Sequence, residues 1–171
     1  PTNLAPLPAR FKPPAAFKEH KFYFHLTADL SDGLRRVANT ASVPLKSVII
    51  AGHMLVLSLL TGRRDVTAGI TFNGRLESAD GERVRGLFLN TMPFPLHLSG
   101  GTWLDLIRAV YEQETEMIPH RRFPVGMAQK ERRDTLFTNG FSYHHFHSIS
   151  NLLESADFEI VDTIDASTTN Y

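Results

Sequence analysis

Residues 84–98, VRGLFLNTMPFPLHL, decide how this chain is read, and Asn73-Gly74-Arg75 just upstream sharpens the reading. Met92, Phe94, Leu96 and Leu98 alternate with Pro93, Pro95 and His97, the period of a strand with one apolar face. Proline has no amide proton, so the side bearing two prolines cannot complete a ladder. Such a strand belongs at a sheet edge or beside a bulge. Upstream, Val66, Ala68, Ile70 and Phe72 alternate with Thr67, Gly69 and Thr71 and make a second, half-buried strand. A polar loop over residues 73–83 joins the two. Downstream, Thr102-x-x-Asp105 has the form of a capping box that opens a helix. Trp103, Leu106, Ile107, Val110 and Met117 supply the core stripe of that helix, and Pro119 ends it.

The same reasoning extends to both ends. Residues 21–26 alternate, with Phe22, Phe24 and Leu26 opposite Tyr23 and His25, which predicts a strand. Leu30, Leu34, Val37, Ala38 and Ala41 recur at helical spacing, and Asp29 or Ser31 is placed to cap that helix. Pro44 is predicted as the first residue of a second helix, because it pushes Val43 out of helical dihedrals. That helix is apolar nearly all round through Leu60 and stops at Gly62, so it is expected to be buried. Two further strands are predicted over 136–147 and 158–164. Residues 1–17 are Pro-rich and read as an extended linker; residues 18–171 read as one folded unit. Strand, two helices, strand, loop, strand, helix and two strands predict an α/β two-layer sandwich, with helices packed on a mixed sheet.

Composition narrows the partners. A chain of 171 residues with 42% apolar side chains can bury a core, covering about 70% of its unfolded surface when compact. Eighteen basic residues balance eighteen acidic ones, and the basic residues fall as scattered pairs. Nucleic acid and anionic membrane are therefore not the expected partners. The absence of cysteine removes any disulfide framework and any thiol nucleophile. The prolines among residues 1–17 leave no apolar signal-peptide stretch, and the longest apolar run, residues 48–60, is far short of a membrane span. A soluble, cytoplasmic protein is expected. The missing initiator Met and the unfinished end predict a piece of something longer.

No complete catalytic signature is present: no G-x-S-x-G elbow, no Walker loop, no G-x-G-x-x-G and no H-E-x-x-H. Ser142 is one residue short of an elbow and falls in a predicted strand. His145 and His147 are two apart on that strand, so both rings share a face, a spacing that zinc sites use. Without a visible third ligand, the better reading is a half-polar surface in which Tyr143, His145 and His147 face a cleft or partner; no metal is expected. His53, inside the apolar helix, reads as a hydrogen-bonded core histidine. His120 reads as a favourable group at a helix C-terminus beside Arg121-Arg122.

Taken in order, these landmarks resemble the condensation domains of nonribosomal peptide synthetases. Residues 34–75, LRRVANTASVPLKSVIIAGHMLVLSLLTGRRDVTAGITFNGR, resemble the helix–helix–strand passage of that family ending in Gly-Arg. Arg85-Gly86-Leu87-Phe88-Leu89-Asn90-Thr91 resembles the (I/V)GxFVNT motif, with Arg85 in place of an aliphatic residue. His120-Arg121-Arg122-Phe123-Pro124-Val125-Gly126 resembles HQDxPFE and keeps the His, the aromatic and the Pro. Arg133-Asp134-Thr135-Leu136-Phe137 resembles the end of RDxSRNPLF. His144-His145 is not the catalytic HHxxxDG of the family, because Ile149 and Ser150 stand where Asp and Gly are needed.

The resemblance implies half of a chloramphenicol-acetyltransferase-like fold: a partial C-terminal lobe over residues 18–171. Its partners would be an upstream N-terminal lobe carrying HHxxxDG, and donor and acceptor carrier proteins. No cofactor would be bound directly; the phosphopantetheine arms of the carriers would bring the substrates. The implied reaction is amide formation between a carrier-bound acyl or peptidyl thioester and a carrier-bound amine, and the fragment alone would be inactive. Asn73, Gly74, Arg75, Gly86, Phe88, Asn90 and Thr91 would shape the floor of a tunnel. Arg75 would pin the loop by forked hydrogen bonds, Phe88 would fill the core, and Asn90-Thr91 would tie a bend to backbone amides. His120, Phe123, Pro124 and Arg133 would hold degenerate motif positions. Two alternatives accompany this reading: an ester-forming acyltransferase of the same superfamily, suggested by the degenerate motifs, and a non-catalytic carrier-binding module.

Overall fold

Thr27 opens the first helix. In this computed structural model, which describes residues 20–78, 80–132 and 135–144, Thr27 Oγ1 accepts from the Leu30 amide at 3.3 Å at the head of α1, Ala28–Ala41. The cap is therefore neither Asp29 nor Ser31. A cap residue must keep extended dihedrals, as Thr27 does (φ −64°, ψ 156°). Asp29 instead lies in the first turn, where its charge suits the helix dipole. The linker over residues 1–17 and the strand over residues 158–164 lie outside the described residues.

Pro44 is extended (ψ 147°) and stands just before α2, Leu45–Thr61, not as its first residue, and the helix ends at Gly62 in the left-handed region (φ 69°). Val48, Ile50, Ala51, Met54 and Leu57 of α2 are buried, but Leu59 is 74% exposed and Val56 is exposed as well. Burial all round does not occur, because α1, α3 and β1 cover only one side of the helix among the described residues.

β1, Asp65–Asn73, pairs antiparallel with β2, Leu89–His97, from Asp65 opposite His97 to Asn73 opposite Leu89. β3, Gly140–Phe141, runs parallel to β1 on its other side, giving the order β2-β1-β3 in a mixed sheet. Pro93 and Pro95 do place β2 at the edge. The Leu98 amide donates to Arg64 O at 2.8 Å. Even-numbered residues of β2 thus aim their amides at β1, and the two prolines face the open side.

That arrangement also explains a failed expectation. Residues 21–26 form no strand, and Phe24 is 85% exposed. Alternation alone does not make a strand; an edge with free donors is needed. β1 is flanked on both sides, and the outer side of β2 is short of donors. The strand expected over residues 136–147 is likewise reduced, among the described residues, to Gly140–Phe141.

α3, Trp103–Met117, begins with the expected capping box. Thr102 Oγ1 accepts from the Asp105 amide at 3.2 Å, and Asp105 Oδ2 accepts from the Thr102 amide at 2.8 Å. Ile107, Val110 and Met117 are buried, but Trp103 is 58% exposed. As the first residue of the helix, it projects beyond the layer that its stripe packs against. A 3-10 turn, Ile118–His120, and a short helix α4, Val125–Arg132, follow. One polar contact is enclosed between the helices. Ser47 Oγ on α2 donates to Glu114 Oε2 on α3 at 2.5 Å, and Lys46 Nζ lies 2.7 Å from Glu114 Oε1.

The core is tightest over Gly69. A Cβ at this position would lie 2.5 Å from the ring of Phe137, which is itself buried. The Phe137 ring therefore stacks directly on the β1 backbone. Gly69→Ala is expected to destabilise the protein by about 1–3 kcal/mol through overpacking. The same change in a Phe137→Leu background should cost less, because the obstructing ring is gone. Urea denaturation of the four proteins of this cycle checks it; equal costs in both backgrounds would refute the contact.

Candidate functional site

The loop between β1 and β2 is built around carbonyl groups turned inward. Asn73 Oδ1 accepts from the Arg75 amide at 2.9 Å, a local turn that Asn makes readily. The Gly74 amide donates to Phe88 O at 2.6 Å, which carries the pairing one step past the end of the ladder. Arg75 Nη1 donates to Gly81 O at 3.1 Å and to Val84 O, so one guanidinium spans the loop. Its Cζ stands 4.5 Å from the Phe88 ring centroid, within cation–π range. Phe88 is thus half-buried beneath Arg75 and does not fill the core. Gly86 has φ 149°, a conformation that side chains resist, where the chain turns back toward Phe88.

A distant segment closes on this loop. Asn90 Nδ2 donates to Arg121 O at 2.9 Å and to Phe123 O at 2.7 Å. Asn90 therefore binds carbonyls, not the amides expected of it, since its NH2 group faces the chain after α3. Thr91 Oγ1 lies 3.0 Å from Thr71 Oγ1, its partner across the ladder. Arg122 reaches back, with Nε donating to Gly74 O at 2.9 Å and Nη2 to Arg75 O at 3.2 Å. Arg121 Nη2 donates to Glu77 Oε1 at 2.8 Å. His120 and Pro124 are exposed, and Phe123 is about half exposed, so these motif residues serve through their backbone. Residues 73–75, 86–91 and 120–124 are brought together; Arg133, His145 and His147 lie outside the described residues.

Sequence reasoning passed over Arg121, Arg122 and Glu77. The signal is present in the twin arginines inside the His120–Pro124 element, but charge at a helix end does not by itself disclose their partners. Tyr143 follows β3, across β1 from β2, and is half-buried. Ser142 Oγ lies 2.8 Å from His144 Nε2 on exposed chain just past β3. A cleft of about 340 Å³ opens at the far end of the hairpin between Leu55, Arg64, His97, Trp103 and Leu106. None of the residues singled out from the sequence as a site lines it.

Among the described residues, no group of three or more His, Asp or Glu side chains is arranged to hold a metal. No single helix among them is long and apolar enough to cross a membrane. The loop cluster holds no nucleophile paired with a base. Its donors are arginines, an asparagine and backbone amides, and what they fix is the course of the chain.

His53 is the group whose protonation the fold opposes. Its Nε2 lies 3.2 Å from Asn139 Oδ1, and its ring centroid is 5.6 Å from that of Phe141. Burial pushes its pKa below the usual histidine range, and the Asn139 bond offsets this only in part. The unfolded chain therefore takes up this proton at a higher pH than the folded one. Stability from this site is complete above about pH 6.5 and declines as pH falls toward the depressed folded value. His53→Gln, which keeps a polar group near Asn139, should flatten the decline in urea midpoint between about pH 7.5 and 5.5. An unchanged slope in the variant would contradict this.

Comparison with known proteins gives these features a family. The family model of the condensation domain matches residues 2–170. The AMB antimetabolite synthetase AmbE of Pseudomonas aeruginosa is 32% identical over 120 residues, covering 70% of this chain and 6% of that protein. Surfactin synthase subunit 1 of Bacillus subtilis is 31% identical over 146 residues, covering 80% of this chain and 4% of that protein. The chain thus spans a small fraction of these relatives. Among solved structures, the first condensation domain of the calcium-dependent antibiotic synthetase, in complex with a substrate analogue, superposes with TM-score 0.55. It is 25% identical, over 64% of this chain and 24% of that one. A four-domain nonribosomal peptide synthetase bound to AMP and glycine shares the fold at TM-score 0.69 and 18% identity, over 75% of this chain and 10% of that one. With Gly86, Phe88, Asn90 and Thr91 in the family's order, and helices packed on a mixed sheet as in half of a chloramphenicol-acetyltransferase-like fold, the chain belongs to the condensation domain family.

Proposed function

We propose that this chain is the downstream lobe of a condensation domain that forms an amide bond between two carrier-bound substrates. The observation that carries the reading is the meeting of residues 73–75, 86–91 and 120–124 in one loop cluster, inside a family match over residues 2–170. In the reaction, the acceptor's amine nitrogen attacks the thioester carbonyl carbon of the donor. The C–N bond forms, the C–S bond breaks, and the donor's phosphopantetheine leaves as a thiol. The amine's proton passes to a base on the upstream lobe, the second His of HHxxxDG, and from there to the departing sulfur; that motif does not occur in these 171 residues. Asn73–Arg75, Gly86–Thr91 and the carbonyls of Arg121 and Phe123 contribute shape: they close the floor under the reacting groups and keep water out. We place this work in the cytoplasm, where carrier proteins bring their phosphopantetheine arms.

The departures at Arg121, Arg122 and residues 133–137 from the amide-forming pattern favour ester formation as the second reading. The full-length protein, supplied with a thioester-loaded donor carrier and matched amine and alcohol acceptors, should give the amide by mass spectrometry. This chain by itself should give none. Preferential ester formation would select the second reading. Amide formation by this chain alone would overturn the assignment of the chemistry to another lobe, and no product with either acceptor would leave a carrier-binding module as the function.

A further inference from the structure

The cleft at the far end of the hairpin, about 340 Å³ in volume, holds a cation with no counter-charge among the described residues. It adjoins the Asp65–His97 pairing, whereas the loop cluster begins at Asn73, so the two sites are roughly 26 Å apart along β1. Its floor is apolar: Leu55 of α2, Leu98 after β2, and Leu106 and Ala109 of α3, all half-buried. Exposed Trp103 adds a ring at the wall. Gly101, with φ 105°, brings the rim close to α3; a Cβ there would lie 2.8 Å from Asp105 Oδ2. The carboxylates nearby are already engaged. Asp105 Oδ2 accepts from the Thr102 amide and hydroxyl, each at 2.8 Å. Asp65 Oδ1 accepts from His97 Nδ1 at 2.7 Å. The Arg64 side chain, exposed at the cleft, makes no ion pair or hydrogen bond among the described residues.

We propose that this cleft binds an aromatic carboxylate, its ring against Trp103 and the leucine floor and its carboxylate on Arg64. A concave, mostly apolar seat with a few polar groups at its edge is the usual form of a small-ligand site. The indole face favours an aromatic body over an aliphatic one, because two rings gain from offset or edge-to-face packing beyond the area they bury. The planar guanidinium matches a carboxylate through two parallel hydrogen bonds. With Asp65 and Asp105 each held by a donor of the protein, Arg64 sets the sign of the charge that the ligand must bring. A cationic ligand would meet that guanidinium unscreened. The site lies at the opposite end of the hairpin from the loop cluster, and it does not rest on the function proposed above.

Trp103 is the only tryptophan in the sequence, so its fluorescence reads this cleft alone. Titrating the full chain with phenylacetate should change Trp103 emission saturably, half-saturating at about 1 mM or below. The amide resonances of residues 100–106 should move with the same midpoint. Phenylacetamide has the same shape without the charge and should bind about fivefold more weakly or worse; phenethylamine should bind more weakly still. Arg64→Gln, a change at an exposed side chain, should weaken phenylacetate by about fivefold or more and leave phenylacetamide within about twofold of the parent. An acetylated tripeptide ending in phenylalanine offers the same ring and carboxylate from a chain terminus. Tighter binding of that peptide than of phenylacetate would assign the seat to a peptide terminus, and weaker binding to a free acid. No saturable response in emission or resonances overturns the proposal. So does equal binding of phenylacetate and phenylacetamide, or an affinity for phenylacetate that Arg64→Gln leaves unchanged.

Discussion

The antiparallel register of β1 on β2 is the constraint on which the rest depends. Asp65 opposite His97 and Asn73 opposite Leu89 fix both ends of the hairpin at once. At one end the chain must pass directly into Asn73-Gly74-Arg75 and return through Gly86 and Phe88. At the other it must deliver Thr102 to the head of α3. A slip of β2 by one residue would turn Met92, Phe94 and Leu96 out of the core. It would also carry Asn90 away from the carbonyls of Arg121 and Phe123. The apolar period that buries the sheet is therefore the same feature that aims the loop cluster.

Within the cluster, charge takes over from hydrophobic burial as the organising force. The loop after β1 offers the core little apolar area: Leu76, Val84 and Leu87 are exposed. Guanidinium groups hold it instead. Arg75 works from inside the loop, and Arg121 and Arg122 from the segment after α3. An arginine can do this because its planar fork presents several donors in fixed directions, where a lysine offers a single point charge. The result is a loop of defined shape that carries almost no core of its own.

The sequence discloses whatever is decided by neighbours along the chain. Alternation gave both strands of the hairpin, the two prolines gave its edge, and Thr102 and Asp105 gave the start of α3, because each depends on a few adjacent residues. Failures occur where the deciding partner is remote or lacking. Residues 21–26 alternate properly but meet no free edge among the described residues. The apolar circumference of α2 says nothing about how many layers surround it. α4 carries no apolar stripe strong enough to announce a helix. The ties from Arg121 to Glu77 and from Arg122 to Gly74 bridge more than forty positions, and no local pattern signals them. The family's short motifs marked the right neighbourhood because they sit at the points where these remote segments meet.

The prolines of β2 also make the two flanks of the sheet unequal. With Pro93 and Pro95 facing outward, the β2 side is a poor template for another chain, which guards it against edge-to-edge polymerisation. β3 lies on the opposite flank, parallel to β1, and both Gly140 and Phe141 keep their backbone amides. The sheet is built like a zipper with one side largely sewn shut.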